Sequence, residues 1–583
     1  MDVSTHGPIG RHRPTFAELF TPKLVTILRE GYSWSDFRAD AIAGLTVAIV
    51  ALPLSMAIAI GSGLSPEKGL YTAIIGGFLI SALGGCRFQI GGPAGAFIVL
   101  IATIVERHGY DGLVLATLMA GMMMMAVGFL RLGTYIKYIP LPVTVGFTAG
   151  IAVIIFASQV KELLGLNIAN EPAALLPKLW AIGEKINTIT PATLALSVLA
   201  IGIIVGLRRY RPKWPGFLVA VAVTAAITAT FSLDVATIGS RFGGVPHTLP
   251  APTLPAFDLA AIRSAFPDAV AIALLGAIES LLSAVVADGM TGRRHRSNCE
   301  LVAQGVANMA AASAGGMCVT GTIARTATNI RAGARGPVAG MMHALYILLF
   351  MLVAAPLASY IPLAALGAVL AIVAWNMAEK EEFSILLRSS WGDFTVLMAT
   401  FLLTIFADLT TAIATGVTLG AFLFLHRMAE AVEVEGRGQL VSEDKADTTG
   451  TQRAAYEPHA FNGDAMVYRI SGAFFFGATA AVSAVLDRIG ERPKIFVLDF
   501  SEVPLVDSTA AKALEGFVHK LHHAGTTVFF VGARASVRRS LLVAGLRKPI
   551  VRYAATAQDA IAQKPNTNDP GGIPKLNKLA AKQ

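Results

Sequence analysis

Charge is scarce in this sequence. Asp, Glu, Lys and Arg make up 15% of its 583 residues, against about 25% in an average soluble protein. Ala41–Gly61, Leu113–Leu130, Ala192–Leu207 and Phe394–Ala407 hold none of the four. Each run is long enough, or nearly so, to cross ~30 Å of hydrocarbon as a helix. A wholly soluble protein is thereby excluded. Cysteine is scarcer still: Cys86, Cys299 and Cys318 show no CxxC spacing and no histidine pattern. They read as small apolar fillers, which leaves disulfides, metals, cofactors and catalytic chemistry without support. The apolar core of a cleavable signal is also missing, because the first forty residues hold Arg11, Arg13, Lys23, Arg29 and Arg38. Within them, Thr15–Phe37 suits either a helix lying on the membrane surface or a solvated tail with a short connector. The net charge of +9 fits basic loops facing the cytoplasm better than a nucleic-acid partner.

Fourteen candidate spans are present. Seven lie near 40–60, 68–83, 93–106, 112–130, 141–157, 192–207 and 215–232. Seven more lie near 267–288, 300–314, 321–331, 338–355, 362–376, 393–407 and 410–427. Loops after even-numbered spans carry most of the concentrated cations, among them Arg131 and Lys137, Arg208 to Lys213, Arg293 to Arg296, and Arg331 with Arg335. Cations mark the cytoplasmic side, so both termini are expected inside.

The two sevens look related. Tyr138-Ile139-Pro140-Leu141 recurs as Tyr360-Ile361-Pro362-Leu363, and Asp40-Ala41 as Asp268-Ala269, at offsets of 222 and 228 residues. Seven is odd, so the second copy must enter the membrane upside down. An inverted repeat is a transporter signature, with substrate bound at the midplane between the halves.

Spans three and ten are short and follow helix-breaking sequence: Gly91-Gly92-Pro93-Ala94-Gly95-Ala96 and Gly315-Gly316, then Thr320-Gly321-Thr322-Ile323-Ala324-Arg325. Pro93 suits a first helical turn, and Thr320 or Thr322 suits a cap. In an inverted repeat the two helices point their N-termini at each other near mid-membrane. Free N–H groups and two positive dipole ends then face one cavity, which favours an anion. Close helix packing is the plainer use of these glycines. Arg325 and Glu279 are costly in apolar spans, Glu279 by about 2.5–3.5 kcal/mol. They form either a fixed salt bridge or a working pair, in which a proton on Glu279 frees Arg325 for the anion. Ser283 lies one turn beyond Glu279 on the same face. His343 is assigned no role.

Beyond Phe424 hydropathy falls, and 430–460 has a linker's composition. An α/β pattern follows: strand Met466–Ser471, helix Ala478–Ile489, strand Lys494–Phe500, helix Ser508–His523, strand Thr526–Val531 and helix Ala535–Ala544. Ser508 opens a helix after a buried strand, as an N-cap or as a phosphorylation site.

Spans one to fourteen, the half-helix Thr320–Asn329 and the tail segment Asp499–Ala510 resemble the SulP family of anion transporters, the sulfate permease, prestin and pendrin group. Gly276-Ala277-Ile278-Glu279-Ser280-Leu281-Leu282, Asp288-Gly289-Met290-Thr291-Gly292, Ala324-Arg325-Thr326-Ala327 and Asn329-Ile330-Arg331-Ala332-Gly333-Ala334 are most like its bacterial C4-dicarboxylate branch. The tail resembles a STAS domain. The implied fold is an α-helical membrane domain of fourteen spans as a 7+7 inverted repeat, plus a small α/β STAS domain. Its expected parts are an N-terminal segment 1–37, the transport domain 38–428, a linker 429–460, the STAS domain 461–565 and a tail 566–583. The resemblance also implies a core of spans one to four and eight to eleven, sliding against a gate as a homodimer in a bacterial inner membrane. Leu54, Ile58, Ala94, Gly95, Ala96, Phe97, Thr322, Ile323 and Arg325 would hold sulfate, bicarbonate or a dicarboxylate. Glu279 and Ser283 would take the coupling ion, a proton in preference to sodium, and the STAS domain a cytoplasmic protein. The alternatives are a sodium-coupled bicarbonate transporter, a nucleobase permease of the same architecture, and a membrane-anchored signalling module.

Overall fold

Inside a bilayer a backbone N–H or C=O finds a partner only within its own helix, and each of the fourteen apolar runs is helical. The computed structural model describes residues 15–430, 433–436, 465–475 and 493–562, apart from 135–138, 169–171, 173, 213, 253–254, 256–257, 408 and 524. In order come α1 (Trp34–Gly61), α2 (Pro66–Tyr71), a π-helical turn (Thr72–Gly76), α3 (Gly77–Leu83), β1 (Gly91–Gly92) and α4 (Ile98–Phe129), the last entered through a 3₁₀ turn at Gly95–Phe97. Next are α5 (Leu141–Leu164), α6 (Pro191–Tyr210), α7 (Gly216–Phe231), α8 (Leu259–Thr291), α9 (Ser297–Ser313), β2 (Thr320–Gly321) and α10 (Ile323–Arg331). The membrane part closes with α11 (Val338–Ala358), α12 (Leu363–Met377), α13 (Trp391–Phe406) and α14 (Leu409–Glu430). Spans three and four run together as α4, broken at Gly109, whose φ of 67° is non-helical. Among the described residues, eight helices are long and apolar enough to cross a membrane by length and composition.

Local chemistry sets the ends. Ser33 and Asp36 form a capping box at the start of α1. The repeated Ile-Pro-Leu does one job twice: Pro140 and Pro362 are the extended N-caps of α5 and α12. Tyr138 lies outside the described residues.

The halves are inverted copies in their contacts as well. Asp40 of α1 accepts from the N–H groups of Arg335 (2.5 Å) and Gly336 (3.0 Å), just before α11. Its counterpart Asp268 of α8 lies 3.4 Å from Nε2 of His108, just before the break in α4. Accordingly α1 packs on α11, and α4 on α8 and α9, while α5 packs on α12 and α13 as a second group. The segment 15–37 forms two short helices, Phe16–Phe20 and Lys23–Glu30. Lys23 N–H donates to Gly84 O, and the Arg296 guanidinium donates to Thr21 O and Thr26 Oγ1. These bonds tie the segment to the loops after spans two and eight. Where Arg87 grips Glu30, the guanidinium holds that carboxyl below its ordinary range.

The chain divides into compact units at Met1–Gly420 and Ala421–Gln583. The second contains one sheet of β3 (Glu433–Gly436), β4 (Ala465–Ser471), β5 (Ile495–Glu502), β6 (Thr527–Val531) and β7 (Val551–Ala554), in that order. It is parallel except for β3, which pairs antiparallel with β4. The helices are α15 (Ser508–His523), α16 (Ala535–Val543) and α17 (Ala557–Ala562). Three strands and two helices lie where the sequence pattern puts them. The expected helix at 478–489 lies outside the described residues. One expectation is corrected: the stretch 429–460 is not all linker, because β3 falls inside it. Glu433-Val434-Glu435-Gly436 has no apolar run to betray a strand, and an edge strand is held by backbone bonds, so charge there is tolerated.

Glu300 on α9 is fully buried. Its carboxylate accepts from the N–H groups of Gly85 (2.8 Å) and Cys86 (3.0 Å), from Gln89 Nε2 (2.9 Å) and from Gln304 Nε2 (3.1 Å). A buried donor left without its acceptor costs about 1–3 kcal/mol. Glu300→Ala is therefore expected to destabilise the protein by roughly 3 kcal/mol or more, with Glu300→Gln milder. The check is thermal unfolding in detergent, and an unchanged midpoint for the alanine variant would refute this role.

Candidate functional site

β1 and β2 meet antiparallel, Gly91 opposite Gly321 and Gly92 opposite Thr320. The two half-helices thus leave one crossing point in opposite directions. Side chains of α10 hold the opposing segment in place. Thr326 Oγ1 accepts from Ile90 N–H at 3.1 Å, and Asn329 Nδ2 donates to Phe88 O at 2.9 Å. On the other strand, Asn308 Oδ1 accepts from Val319 N–H at 2.9 Å while its Nδ2 donates to Val319 O at 2.8 Å.

Neither half-helix is capped by a side chain. Ala94 stands at the N-cap of the 3₁₀ turn, and Thr322 at that of α10, without a capping bond. The expected threonine caps are thus corrected. Thr322 Oγ1 donates to Ile90 O, and Thr320 Oγ1 pairs with Ser280 Oγ at 2.6 Å. Pro93 precedes the helix instead of opening it, and its carbonyl accepts from Arg325. Uncapped first-turn N–H groups suit an anion, which satisfies them and meets the dipole.

These ends face a cavity of about 360 Å³, small even among small-molecule sites. Val47, Val50, Leu54 and Ile58 line it from one face of α1. Pro93, Ala94, Gly95 and Ala96 line it at one half-helix, and Thr322, Ile323, Ala324, Arg325 and Thr328 at the other. Glu279 of α8, Thr148 of α5, Phe217 of α7, and Val373, Asn376, Met377 and Glu379 at the end of α12 complete the wall. A second cavity of about 410 Å³ is walled by hydrocarbon, such as Leu52, Met56, Val221 and Phe350, and offers nothing to a charge.

Arg325 is 2% exposed. Its Nη2 donates to Ser55 Oγ and Pro93 O, both at 3.2 Å, while Nε and Nη1 have no partner. Nη1 lies so close to Gly92 that a Cβ there would stand 2.1 Å from it. Only glycine admits this seat. One edge of the guanidinium is fixed and the other is bare.

The fixed salt bridge, one of the two readings of Glu279 and Arg325, is not formed. Both residues line the cavity, but Arg325 bonds to Ser55 and Pro93, and the second acid on the wall is Glu379. Two other expected positions fall elsewhere. Phe97 is fully buried in the core, because four consecutive residues of a tight turn cannot all face one way. Ser283 is buried and donates to Thr326 Oγ1 at 3.1 Å, away from the cavity wall. In the tail, Asp507 Oδ1 accepts from Ala510 N–H at 2.8 Å and so caps α15. Ser508, first in the helix, is left exposed. Sequence reasoning missed Ser55, Thr148, Asn376 and Glu379. Ser55, a hydroxyl beside Pro53 in mid-span, was the one with a visible signal.

With this geometry, comparison with known proteins is decisive. The sequence pattern of the sulfate permease family matches residues 37–400, and that of the STAS domain matches residues 459–560. The chain belongs to the sulfate permease family. It is a membrane anion transporter and not an enzyme. YvdB of Bacillus subtilis (strain 168), named for sulfate transport, is 39% identical over 519 residues, which are 89% of this chain and 95% of YvdB. The bicarbonate transporter BicA of Synechocystis sp. is 30% identical over 521 residues, 87% of this chain and 90% of BicA. The murine Slc26a9 anion transporter, solved in the inward-facing state, shares the fold with a TM-score of 0.79 at 18% identity, over 93% of each chain.

The seat of Arg325 yields a prediction. In Gly92→Ala the guanidinium must shift, and anion affinity is expected to fall roughly tenfold, the worth of one charge-assisted hydrogen bond. Binding of sulfate and succinate to the purified variant is the measurement, and unchanged affinity would show that Arg325 needs no close seat.

Proposed function

We propose that the protein is a secondary active transporter in which a small anion, such as sulfate, bicarbonate or a C4-dicarboxylate, binds between the two half-helix N-termini against Arg325. The bare edge of that buried guanidinium carries this reading. Arg325 lines the small cavity with its charge, two of its buried donors have no partner, and both helix ends beside it are uncapped. A nucleobase permease would want a neutral polar site. A membrane anchor for the tail would have no use for buried charge.

Access alternates as the helix group containing α1, α4, α8 and α11 slides against the group containing α5, α12 and α13. Two observations support this. The central cavity lies between the groups and reaches the C-terminal end of α12, where Asn376 accepts from Arg208. That is the side of the cation-rich loops, expected to be cytoplasmic. Past the opposite end of the same α1 face lies a separate cavity of about 490 Å³, lined by Ile60, Gly61 and Ser62 with Gln159 and Lys161. Between them Gly61 packs on Leu370, and a Cβ at Gly61 would meet Leu370 Cδ1 at 3.0 Å.

Proton coupling is assigned to Glu279. It shares the cavity with Arg325 and the anion, so its charge repels the anion and a proton on it removes the repulsion. Sodium coupling would want the Ser283 hydroxyl beside that carboxylate, and this hydroxyl is turned to Thr326.

Two experiments test these assignments. In Arg325→Ala, affinity for a divalent anion is expected to fall about 100-fold or more while the protein stays folded, since two charge-assisted bonds are lost. Unchanged affinity in the purified variant would remove Arg325 from the site. For coupling, acidifying the outer face of vesicles should speed uptake by the parent. Glu279→Gln, which mimics the protonated acid, should exchange anions yet lose accumulation driven by a pH gradient. Accumulation that survives in this variant would refute the coupling role, and accumulation that requires sodium in the parent would move Glu279 to a cation site.

A further inference from the structure

The tail domain carries a surface that anion transport does not use. From Arg534 to Arg552 the sequence holds six cations, Arg534, Arg538, Arg539, Arg547, Lys548 and Arg552, and no acid. Helix α16 runs through this stretch and buries Val537 and Leu541, one turn apart, in the domain core. The pairs Arg538 with Leu542 and Arg539 with Val543, also one turn apart, must then face outward together. Leu542 is exposed, and Val543, at 82%, is the most exposed of the large apolar side chains in the tail's described residues. Arg547 and Lys548 follow in the next turn, both exposed. The acid facing this turn is Glu515, whose carboxylate stands 3.8 Å from where a Cβ on Gly545 would be, and Lys512 and His519 already engage it.

Exposed aliphatic side chains ringed by uncompensated arginines fit one kind of partner. We propose that this face of the tail docks on the anionic surface of the lipid bilayer, Val543 and Leu542 entering the headgroup region and Arg538, Arg539, Arg547 and Lys548 meeting lipid phosphates. Charge complementarity argues for it, because each Lys or Arg beside an anionic leaflet adds attraction and an apolar anchor adds burial. Chain connectivity argues for it too. Only Ala431 and Val432 separate the end of α14 from β3, so the membrane surface is present at high effective concentration, and a weak patch suffices. An acidic protein would satisfy the arginines but would leave unexplained why the exposed Leu542 and Val543 stand among them.

The test uses the full-length protein with Val543→Cys carrying an environment-sensitive fluorophore. The three native cysteines are buried, which makes the label selective. The protein is reconstituted in vesicles of phosphatidylcholine alone or with about 30% phosphatidylglycerol, a level that gives a substantial negative surface potential. With the anionic lipid, the emission is expected to shift to the blue and to be quenched by lipid-borne nitroxide about twofold more than in neutral vesicles. Raised salt should reverse both effects. So should Arg538→Gln/Arg539→Gln/Arg547→Gln/Lys548→Gln, whose positions are exposed, Arg538 lying over the ring of Tyr553 at 4.9 Å. Equal emission in neutral and anionic vesicles would overturn the proposal and leave an acidic protein as the fitting partner. Emission already blue-shifted in detergent micelles would overturn it as well, by showing the face covered by protein.

Discussion

A guanidinium with one bare edge, buried where hydrocarbon surrounds the protein, is the constraint from which much of the membrane domain follows. Arg325 cannot be solvated there, so the chain must hold it without neutralising it. One hydroxyl, Ser55, and one carbonyl, that of Pro93, fix Nη2. Gly92 clears the room for Nη1. That glycine sits in a two-residue strand whose partner is the strand leading into α10 itself. The charge and its seat therefore come from opposite repeats, and neither half could build the site alone. An inverted repeat supplies this kind of meeting because equivalent breaks in the two copies converge at one depth.

Two carboxylates within the membrane domain show how satisfaction separates structure from function. Glu300 has four donors on its two oxygens and fastens the turn after α3 to α9. Such a group is fixed, because changing its protonation would strand several partners at once. Glu279 lies on a cavity wall beside an arginine that it does not bind and shares that wall with Glu379. Among the described residues no hydrogen bond or ion pair fixes it, which fits the proposed role of a group that gains and loses a proton in each cycle.

The spans were legible because hydrocarbon leaves the backbone only one conformation, so the position of an uncharged run nearly dictates the helix. The break at Gly109 was legible too, because Glu106, Arg107 and Asp111 interrupt the uncharged runs of spans three and four, whereas the π-helical turn before α3 carried no such mark, since a short irregularity costs little when packing covers it. The repeat was legible from two short matches, Ile-Pro-Leu, whose proline is the N-cap in both copies, and Asp-Ala, whose acid ties its span to the partner span of the other copy. The candidate site was legible as a set of glycines, threonines and one arginine at matched breaks. Its geometry was not. The sequence placed Phe97 beside Ala96, but a turn sends consecutive side chains in different directions. It also paired Glu279 with Arg325 on sign alone.

The missed contact between those two charges carries the mechanism further than the expected one would have. A salt bridge already formed would have to be broken by each arriving anion, and in a low-dielectric site breaking it leaves two buried charges unpaired at the moment of entry. In the proposed site, with Arg325 held by neutral groups, an anion would meet an oriented guanidinium and two uncapped helix ends at no cost in broken ion pairs. In the proposed mechanism discrimination falls to Glu279, which would act through space: ionised, it would raise the energy of the occupied site, and neutral, it would let the anion stay. Binding of a proton and binding of an anion favour one another by the same free energy whichever comes first, and this reciprocity is all that symport requires of the binding step.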